Sequence, residues 1–300
     1  MFLARKGNMM SELPEISFEK HSDLNIEVFD FEQLFNLLSQ ADDHDPFAPH
    51  KIQFYLILFV TETSYTHAVD FKSHEVKEGN MLFVTKNQVH QFSKDLIKSK
   101  GFGIAFSHLF VNEHYFLTDN FRLNRLFNYH MDSPVLRQAE IGGVGMGSLV
   151  ADLHVEFYAD SVFAKAEILA STLRLILLKA ERAKELHSVV QVNVRWLEVF
   201  GDFTKMLESD YANSRNSRDY AARLFVSYKL LNDIVKNMTG KTVKAFIDDF
   251  VVVEIKRHLI SSSMSVNEIS VKVGFKESSN MVNFFKKNTD TTPLQFRRML

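Results

Sequence analysis

The sequence predicts a two-domain α+β protein, with an antiparallel β-barrel and following helices in the N-terminal part and an all-α domain in the C-terminal part. Short apolar runs between residues 51 and 106, separated by Gly, Asn and polar turns, predict strands. From residue 163 onward, apolar spacings of three and four predict helices. A motif also occurs twice, as VKNMTGKT at 235–242 and FKKNTDTT at 285–292, which indicates a duplicated supersecondary unit.

Length and composition bound the class of protein. The 300 residues fit about two domains, and 46% apolar residues are enough for real cores. The chain has no cysteine, which excludes disulfides, cysteine nucleophiles and thiolate metal sites. The first ten residues lack a signal-peptide core, and no apolar run reaches the length of a membrane span. We therefore expect a cytoplasmic protein without a membrane partner, and the sequence indicates no cofactor.

Charge is distributed unevenly along the chain. Residues 216–300 contain 14 Lys and Arg against 8 Asp and Glu, and 14 − 8 gives +6. The remainder contains 21 basic and 29 acidic residues, and 21 − 29 gives −8. A basic C-terminal module is what neutralisation of phosphates by Lys and Arg requires.

The N-terminal part begins with weak patterns and then turns to strands. Residues 29–38 predict a strand running into a short helix, and 41–49, with two prolines and an acidic cluster, predict a loop. Short strands at regular spacing predict an antiparallel barrel or jelly roll. These strands are expected at 54–60, 66–71, 81–84, 87–92 and 101–106.

Histidines on the predicted barrel raise the question of a ligand site. His67, His74 and His90 all lie there, and imidazoles with a carboxylate can hold a metal. A His-x-His pair on one strand is absent, so we predict no metal site and leave these residues as surface or strand-turn histidines. The alternative is that His90 lines a small-molecule pocket at the mouth of the barrel.

Residues 107–200 predict helices. Residues 119–131 form one candidate, ended by Ser133 and Pro134. The glycine-rich stretch 141–147 lacks the strand-loop-helix context of a phosphate loop and is expected to be a loop or a closely packed helix. Residues 163–186 predict a long amphipathic helix that packs on the barrel. The domain boundary is expected within 183–195, and residues 192–207 predict the next helix.

The repeated unit predicts two pairs of short helices, at about 217–238 and 266–288. In the second pair, Ser265 and Glu268 have the spacing of a capping box, Gly274 is the expected turn, and Ser278 or Ser279 is expected to cap the next helix. In the first pair, Ser227 is the expected N-cap and Gly240 the expected end. A connecting helix is predicted by apolar residues from Val243 to Ile255. Helix-turn-helix geometry presents the second helix of each pair to the DNA major groove.

The C-terminal residues carry a family resemblance. Residues 217–298 resemble the DNA-binding domain of AraC-type transcription regulators, which has two helix-turn-helix units joined by a long helix. The matching positions are Ala221, Ser227, Leu231, Lys236 and 239–241 in the first unit, and Ile269, 274–275, Ser279, 285–286, 292–293 and 296–297 in the second. Three positions depart from the pattern: Asp290 stands where glycine is usual, Met281 where an aromatic residue is usual, and Val252 where many members have arginine.

The N-terminal half is similar to the cupin-like sensor half of the same regulators. Gly79 before an apolar strand, residues 88–90 and residues 101–106 carry this similarity. The resemblance implies a cupin-like sensor and dimerisation domain at 1–185 and a DNA-binding domain at 190–300. It also implies a homodimer formed through 163–186, a small-molecule effector in the barrel, and contact with RNA polymerase if the protein is an activator.

The function expected from these observations is sequence-specific binding of double-stranded promoter DNA by a transcription regulator. The residues expected to contact DNA lie on the second helix of each unit. They are Lys229, Asn232, Asp233, Lys236, Ser278, Ser279, Asn280, Asn283, Lys286 and Lys287. The resemblance assigns base contacts to Lys229, Asn232 and Asp233 and to Ser278, Ser279 and Asn283, whereas Lys236, Lys286 and Lys287 are expected to meet phosphates.

Two other classes of function stay open at this point. One is a metal-dependent enzyme or ligand-binding protein of the cupin type with a helical appendage, for which the sequence offers no convergent ligand set or catalytic constellation. The other is an adaptor whose C-terminal helical pairs bind protein. Salt dependence distinguishes the adaptor, because binding to DNA weakens steeply as counterions compete.

Overall fold

The computed structural model describes residues 3–5, 15–18, 24–39, 45, 47–114, 126–127, 133–141, 145–187, 194–262 and 264–298. The chain divides into two compact units, and the division falls between the helices Lys165–His187 and Val194–Asp210. Each unit has its own core, as expected for independent domains. The predicted helix at 119–131 lies outside the described residues, except for Leu126 and Phe127.

Two facing sheets and several helices form the N-terminal unit. The strands are β1 Leu3–Arg5, β2 Glu15–Phe18, β3 Ile26–Asp30, β4 His50–Ile52, β5 Tyr55–Glu62, β6 Ser64–Val69, β7 Lys72–Lys77, β8 Met81–Val84, β9 Val89–Phe92, β10 Lys100–Phe106 and β11 Val135–Leu136. One sheet has the order β1-β2-β4-β9-β6-β7 and the other has the order β11-β8-β5-β10-β3. All five predicted strand regions are confirmed within a few residues, and β3 leads directly into helix α1, Phe31–Ser39, as predicted.

The sheets are open, which corrects the expectation of a closed barrel. Among the described strands, β7 ends one sheet and β3 ends the other, so no pairing joins the two sheets into one ring. Their inner faces instead share an apolar core. This core contains Tyr65 and Phe92 from the first sheet and Leu58 and Leu82 from the second. Two sheets packed face to face bury alternate residues of each strand, as a closed barrel does. The pattern of apolar residues in the strands therefore does not distinguish the two architectures.

Helices cover the outer face of the second sheet. The helices of this unit are α1, α2 His108–Glu113, α3 Gln138–Ile141, α4 Met146–Tyr158 and α5 Lys165–His187, with a short 3₁₀ helix at Lys94–Lys98. Leu169, Leu173 and Ile176 of α5 pack in one core with Ile57 and Phe83 of the sheet. The predicted amphipathic helix is therefore confirmed, and so is its packing on the strands.

The C-terminal unit is entirely helical in its described part. Its helices are α6 Val194–Asp210, α7 Ser217–Arg223, α8 Tyr228–Thr239, α9 Val243–Ser261, α10 Val266–Lys272, α11 Ser278–Thr289 and α12 Pro293–Arg298. The pairs α7–α8 and α10–α11 are the two predicted helix-turn-helix units, and α9 is the predicted connecting helix. Phe200 and Phe203 of α6 contact Phe246 of α9 and Tyr220 of α7, with ring centroids 5.6 to 5.7 Å apart. The long helix α9 contacts helices of both helix-turn-helix pairs, and it therefore holds the two pairs together within the C-terminal unit.

Candidate DNA-binding surface

The second helix of the first unit, α8, is fixed at both ends by its own sequence. The Ser227 hydroxyl accepts a hydrogen bond from the Leu230 amide at 3.1 Å, and Gly240 ends the helix with φ of 73°. Both caps were predicted, because a serine oxygen satisfies an unpaired amide and glycine adopts positive φ without steric cost. Leu231, Ile234 and Val235 are fully buried. The opposite face of α8 therefore points to solvent.

That solvent face carries three of the four predicted contact residues of the first unit. Lys229, Asp233 and Lys236 are exposed, as predicted. Asn232 is half-buried, and its Oδ1 accepts a hydrogen bond from the Val243 amide at 3.2 Å. Asn232 thus ties α8 to the start of α9, a structural role that sequence reasoning did not assign to it.

The second unit begins with the predicted capping box. The Ser265 hydroxyl accepts from the Glu268 amide at 3.2 Å, and the Glu268 carboxylate accepts from the Ser265 amide at 2.7 Å. These hydrogen bonds from the Ser265 amide and hydroxyl lower the pKa of Glu268. The reciprocal pair fixes the start of α10.

The start of α11 differs from the prediction. Glu277, not Ser278 or Ser279, is the N-cap residue, and its side chain makes no capping hydrogen bond. The turn of the second unit is one residue longer than that of the first, and α11 begins at Ser278, so both serines lie in its first turn. Met281 and Phe285 are fully buried, as predicted.

The polar residues of α11 form an exposed surface. Five of the six predicted contact residues of the second unit are exposed, namely Ser279, Asn280, Asn283, Lys286 and Lys287. Ser278 is half-buried. The amides, hydroxyls and ammonium groups on this helix can form hydrogen bonds with base edges and with phosphate oxygens.

The turn of the second unit depends on a glycine for two reasons. Gly274 has φ of 80°, and a Cβ at this position would lie 1.7 Å from the carbonyl oxygen of Ala212. The Arg215 guanidinium donates to the Gly274 carbonyl at 3.1 Å and stacks 3.6 Å from the Phe275 ring centroid. The loop between α6 and α7 therefore holds the second unit. Sequence reasoning missed Arg215, and only the spatial approach of the two loops identifies it.

Several charges of the C-terminal unit pair with each other, which separates structural cations from available ones. Arg223 pairs with Asp210, Lys241 with Asp249 at 2.6 Å, and Lys244 with Asp248. A buried Arg257 pairs with Glu254. Within the described part of the unit, no ion pair engages the four lysines of the two second helices. These are Lys229, Lys236, Lys286 and Lys287, all exposed.

The predicted ligand residue His90 lies inside the N-terminal unit, between the two sheets. Its Nδ1 is 3.1 Å from Nε2 of His67, and its ring centroid is 4.3 Å from that of His50. All three rings are buried. Burial, together with the neighbouring His50 and His74, lowers the pKa of His67 to about 3, and burial likewise lowers the pKa of His90. His67 and His90 are therefore neutral at pH 7. His74 is half-buried on β7, where it is the cross-strand partner of His67.

Three buried polar atoms in this interior have no hydrogen-bond partner in the described structure. They are the Tyr65 hydroxyl, Nδ1 of His67 and Nε2 of His90. The Tyr65 and His67 ring centroids are 5.9 Å apart, and those of His67 and His90 are 5.2 Å apart. An unpaired buried polar atom costs about 1 to 3 kcal/mol, so this interior has unused hydrogen-bonding capacity.

A surface pocket of about 560 Å³ lies apart from His90. Phe31, Phe35 and Phe102 supply apolar walls, and Asp30 and Glu32 supply acidic groups. Lys100 also lines the pocket, but its ammonium pairs with the Glu62 carboxylate at 2.8 Å. Sequence reasoning did not predict this pocket, because residues from α1, β5 and β10 meet only in the folded chain.

The described residues contain neither a metal-binding cluster nor a membrane-spanning helix. No group of three or more His, Asp or Glu side chains is arranged to hold a metal ion. No helix there is both long enough and apolar enough to cross a membrane.

The C-terminal unit matches a known protein family. Residues 220–299 match the family model of a helix-turn-helix domain. An uncharacterised helix-turn-helix-type transcriptional regulator from the cgkA 5′ region of Pseudoalteromonas carrageenovora is 32% identical over 120 residues, which is 40% of this chain. The match spans 65% of the length of that relative.

Two solved structures are also similar. ToxT from Vibrio cholerae has a TM-score of 0.44 at 13% identity, covering 92% of this chain and 98% of ToxT. A regulator with an AraC-type DNA-binding domain from Chromobacterium violaceum has a TM-score of 0.32 at 17% identity, covering 35% of this chain and 95% of the other.

The two helix pairs and the family match together define a helix-turn-helix domain in the C-terminal unit. Its second helices present the polar faces described above. This match confirms the resemblance of the C-terminal residues to the AraC-type helix-turn-helix domain.

Proposed function

We propose that the protein regulates transcription by binding specific double-stranded promoter DNA through α8 and α11. The observation that carries this proposal is the pair of exposed polar helix faces, each with two lysines that no described ion pair engages. A second helix held in front of its unit fits the major groove. The net charge of +6 over residues 216–300, from 14 basic and 8 acidic residues, favours association with phosphates.

Individual residues have different parts in this proposal. Lys229, Asp233, Ser279 and Asn283 are exposed and are proposed to contact base edges. Asn232 and Ser278 are half-buried, so their proposed base contacts use the atoms left accessible, such as the Asn232 amide group. The proposed phosphate and flanking contacts are Lys236, Asn280, Lys286 and Lys287.

Selection of genomic fragments by the purified full-length protein tests the proposal. We expect enrichment of a shared motif, and we expect Lys229→Ala with Asn283→Ala to lose it. A base contact is worth about 1 to 3 kcal/mol, so each single change should weaken binding about fivefold to a hundredfold and alter preference. Lys287→Ala is the matched comparison, because loss of a phosphate contact should weaken all sequences alike.

A salt series separates DNA binding from an adaptor function. A surface that neutralises six or more phosphates loses about a thousandfold or more in affinity between 50 and 200 mM salt. If binding to the enriched duplex changed less than about threefold over this range, the polar faces of α8 and α11 would be better explained as protein-binding surfaces.

The N-terminal unit is proposed to be a cupin-like sensor for a small-molecule effector. Support comes from the three buried polar atoms around His67 and His90 that have no described hydrogen-bond partner. A ligand with both donor and acceptor groups would satisfy them and could bias the DNA-binding state if it bound one state more tightly. A compound that raises the melting temperature of the wild type but not of His90→Phe would support this assignment.

Homodimerisation through residues 163–186 is the third part of the proposal. Ile168 and Leu175 of α5 are 42% and 43% exposed, although their neighbours Leu169 and Ile176 are buried. The two exposed residues are seven positions apart and therefore lie on one helix face.

We also propose that this regulator acts in the cytoplasm, and that it contacts RNA polymerase if it is an activator.

A further inference from the structure

Phe225 occupies, in the turn of the first unit, the position that Gly274 occupies in the second. In each turn the amide of this residue donates to the carbonyl three residues back, at 3.1 and 3.0 Å. The next amide donates to the carbonyl five residues back, at 3.0 and 2.8 Å. This is the hydrogen-bond pattern with which helices commonly end on a left-handed residue, usually glycine.

The backbone does not favour phenylalanine at this turn. Phe225 has φ of 55° and Gly274 has φ of 80°. Positive φ brings the Cβ of an L-residue too close to the backbone, and for a bulky side chain it is an outlier. Glycine would adopt the same turn without this cost.

Packing does not explain the phenylalanine either. Its side chain is 96% exposed, more than any other large apolar residue in the described part of the chain. The turn of the second unit is crowded, because a Cβ on Gly274 would meet the Ala212 carbonyl. Phe225 therefore gains no burial within its own unit to offset the strained backbone. An outlier of this kind is evidence for a role outside the unit.

Phe225 lies next to the start of α8, the helix that is proposed to enter the DNA major groove. It lies two residues before Ser227, the N-cap of α8, and the N-terminal residues of such a helix approach base edges in the major groove. Lys229, in the first turn of α8 and four residues after Phe225, is exposed. The thymine C5-methyl group is the apolar feature of the major groove, and a phenylalanine ring is a suitable contact for it.

We propose that Phe225 is a specificity-determining residue whose ring packs against a thymine methyl group beside the first recognition helix. This inference rests on the proposed DNA-binding function. It goes further because it assigns base reading to an apolar residue of the turn, in addition to the polar residues of α8 and α11.

The test uses the full-length protein and the duplex that the wild type enriches from genomic fragments. Thymines are replaced one at a time by deoxyuridine, which removes only the methyl group. We expect one replacement to weaken wild-type binding about fourfold, the value of one buried methyl-sized group. Phe225→Gly should weaken binding to the unmodified duplex about tenfold and should no longer respond to that replacement.

Controls separate this contact from an effect on folding. Phe225→Gly should melt at or above the wild-type temperature, because glycine relieves the positive φ and no buried contact is lost. Phe225→Tyr keeps the ring and should keep the response to deoxyuridine. Val271→Ala removes another exposed apolar side chain, 74% exposed on α10, and should not change DNA binding.

Three outcomes would count against the inference, and they are distinguishable. Enrichment of no duplex by the wild type would defeat the proposed function itself. Wild-type affinity in Phe225→Gly would show that the ring does not contact DNA. Weaker binding by Phe225→Gly without coupling to any thymine would overturn the thymine contact and favour a sugar or protein partner.

Discussion

At the scale of single residues, the same local conformation has different consequences in different surroundings. Gly240 and Gly274 both have positive φ, at 73° and 80°. A Cβ on Gly240 would meet nothing within 4 Å, whereas one on Gly274 would overlap the Ala212 carbonyl. Gly240 is therefore required only for its backbone conformation, whereas Gly274 is required both for its backbone conformation and because there is no space for a side chain.

This difference predicts unequal effects of the same substitution. Gly240→Ala should cost about 1 kcal/mol of unfolding free energy, the cost of the left-handed conformation. Gly274→Ala should cost roughly 2 to 4 kcal/mol, because the loop at Ala212 must also move. Urea unfolding followed by fluorescence of Trp196, the single tryptophan, reports on the unit that contains both glycines. Equal losses for the two variants would contradict the crowded turn.

The buried histidines predict how stability depends on pH. Burial lowers the pKa of His67 from 6.5 to about 3, so the unfolded state binds a proton more tightly than the folded state does. The contribution to stability is complete above pH 6.5 and is lost as the pH falls from 6.5 toward 3, at up to about 1.4 kcal/mol per pH unit.

Circular dichroism of urea unfolding at pH 7, 6 and 5 measures this dependence. His67→Gln keeps a hydrogen-bonding group beside His90 but cannot titrate, so its stability should change less with pH. His108→Gln replaces an exposed histidine and should follow the wild type. A wild-type protein equally stable at all three pH values would show that the cluster accepts a proton without cost.

At the scale of elements, caps determine where the helices of the DNA-binding unit begin. Ser227 and Ser265 both accept hydrogen bonds from amides of their helices, whereas Glu277 at the start of α11 makes none. The two units therefore use the same architecture with unequal local support. The start of α11 must depend more on the burial of Met281 and Phe285 than on its cap.

Substitution of the caps tests this inequality. Ser265→Ala removes the hydroxyl that accepts from the Glu268 amide and should cost about 1 kcal/mol. Glu277→Ala removes a side chain that makes no capping bond and should cost less than about 0.5 kcal/mol. Urea midpoints by Trp196 fluorescence give both values. A larger loss for Glu277→Ala than for Ser265→Ala would reverse the assignment of the two caps.

At the scale of the whole molecule, the two units differ in what they leave exposed. The C-terminal unit exposes polar helix faces and two aromatic residues, Phe225 and Tyr228, of which Phe225 is the more exposed. The N-terminal unit exposes apolar side chains at the end of α4, before α5 and along α5. These residues are Val155, Tyr158, Val162, Phe163, Ile168 and Leu175. Exposed apolar residues in one stretch of a chain are typical of a protein interface.

The dimer proposed through 163–186 gives a prediction at this scale. Ile168→Glu with Leu175→Glu places two carboxylates on the exposed stripe and should convert a dimer to a monomer in sedimentation velocity. Folding should be retained, because both positions are already about 40% exposed. Val271→Glu alters an exposed residue of the other unit and should leave the sedimentation coefficient unchanged. A monomeric wild type at micromolar concentration would contradict the proposed interface.

The sequence by itself determined the elements whose signals are local. The capping box at Ser265, the N-cap at Ser227 and the glycine turns follow from interactions over a few residues, and apolar periodicity places α5, α8 and α9. The duplicated motif and the family resemblance also predicted the two helix-turn-helix pairs of the C-terminal unit. Such features depend on residues close in sequence, so the sequence contains the information to predict them.

Only the tertiary structure decided features that depend on distant residues meeting. These include the open pairing of two sheets, the Asn232 link to Val243, the Arg215 clamp on Phe275, and the burial of three histidines in one interior. The exposure of Phe225 is also decided by the tertiary structure, because a phenylalanine in a sequence is expected to be buried. Its exposure and its positive φ emerge only when the turn of the first unit is compared with that of the second.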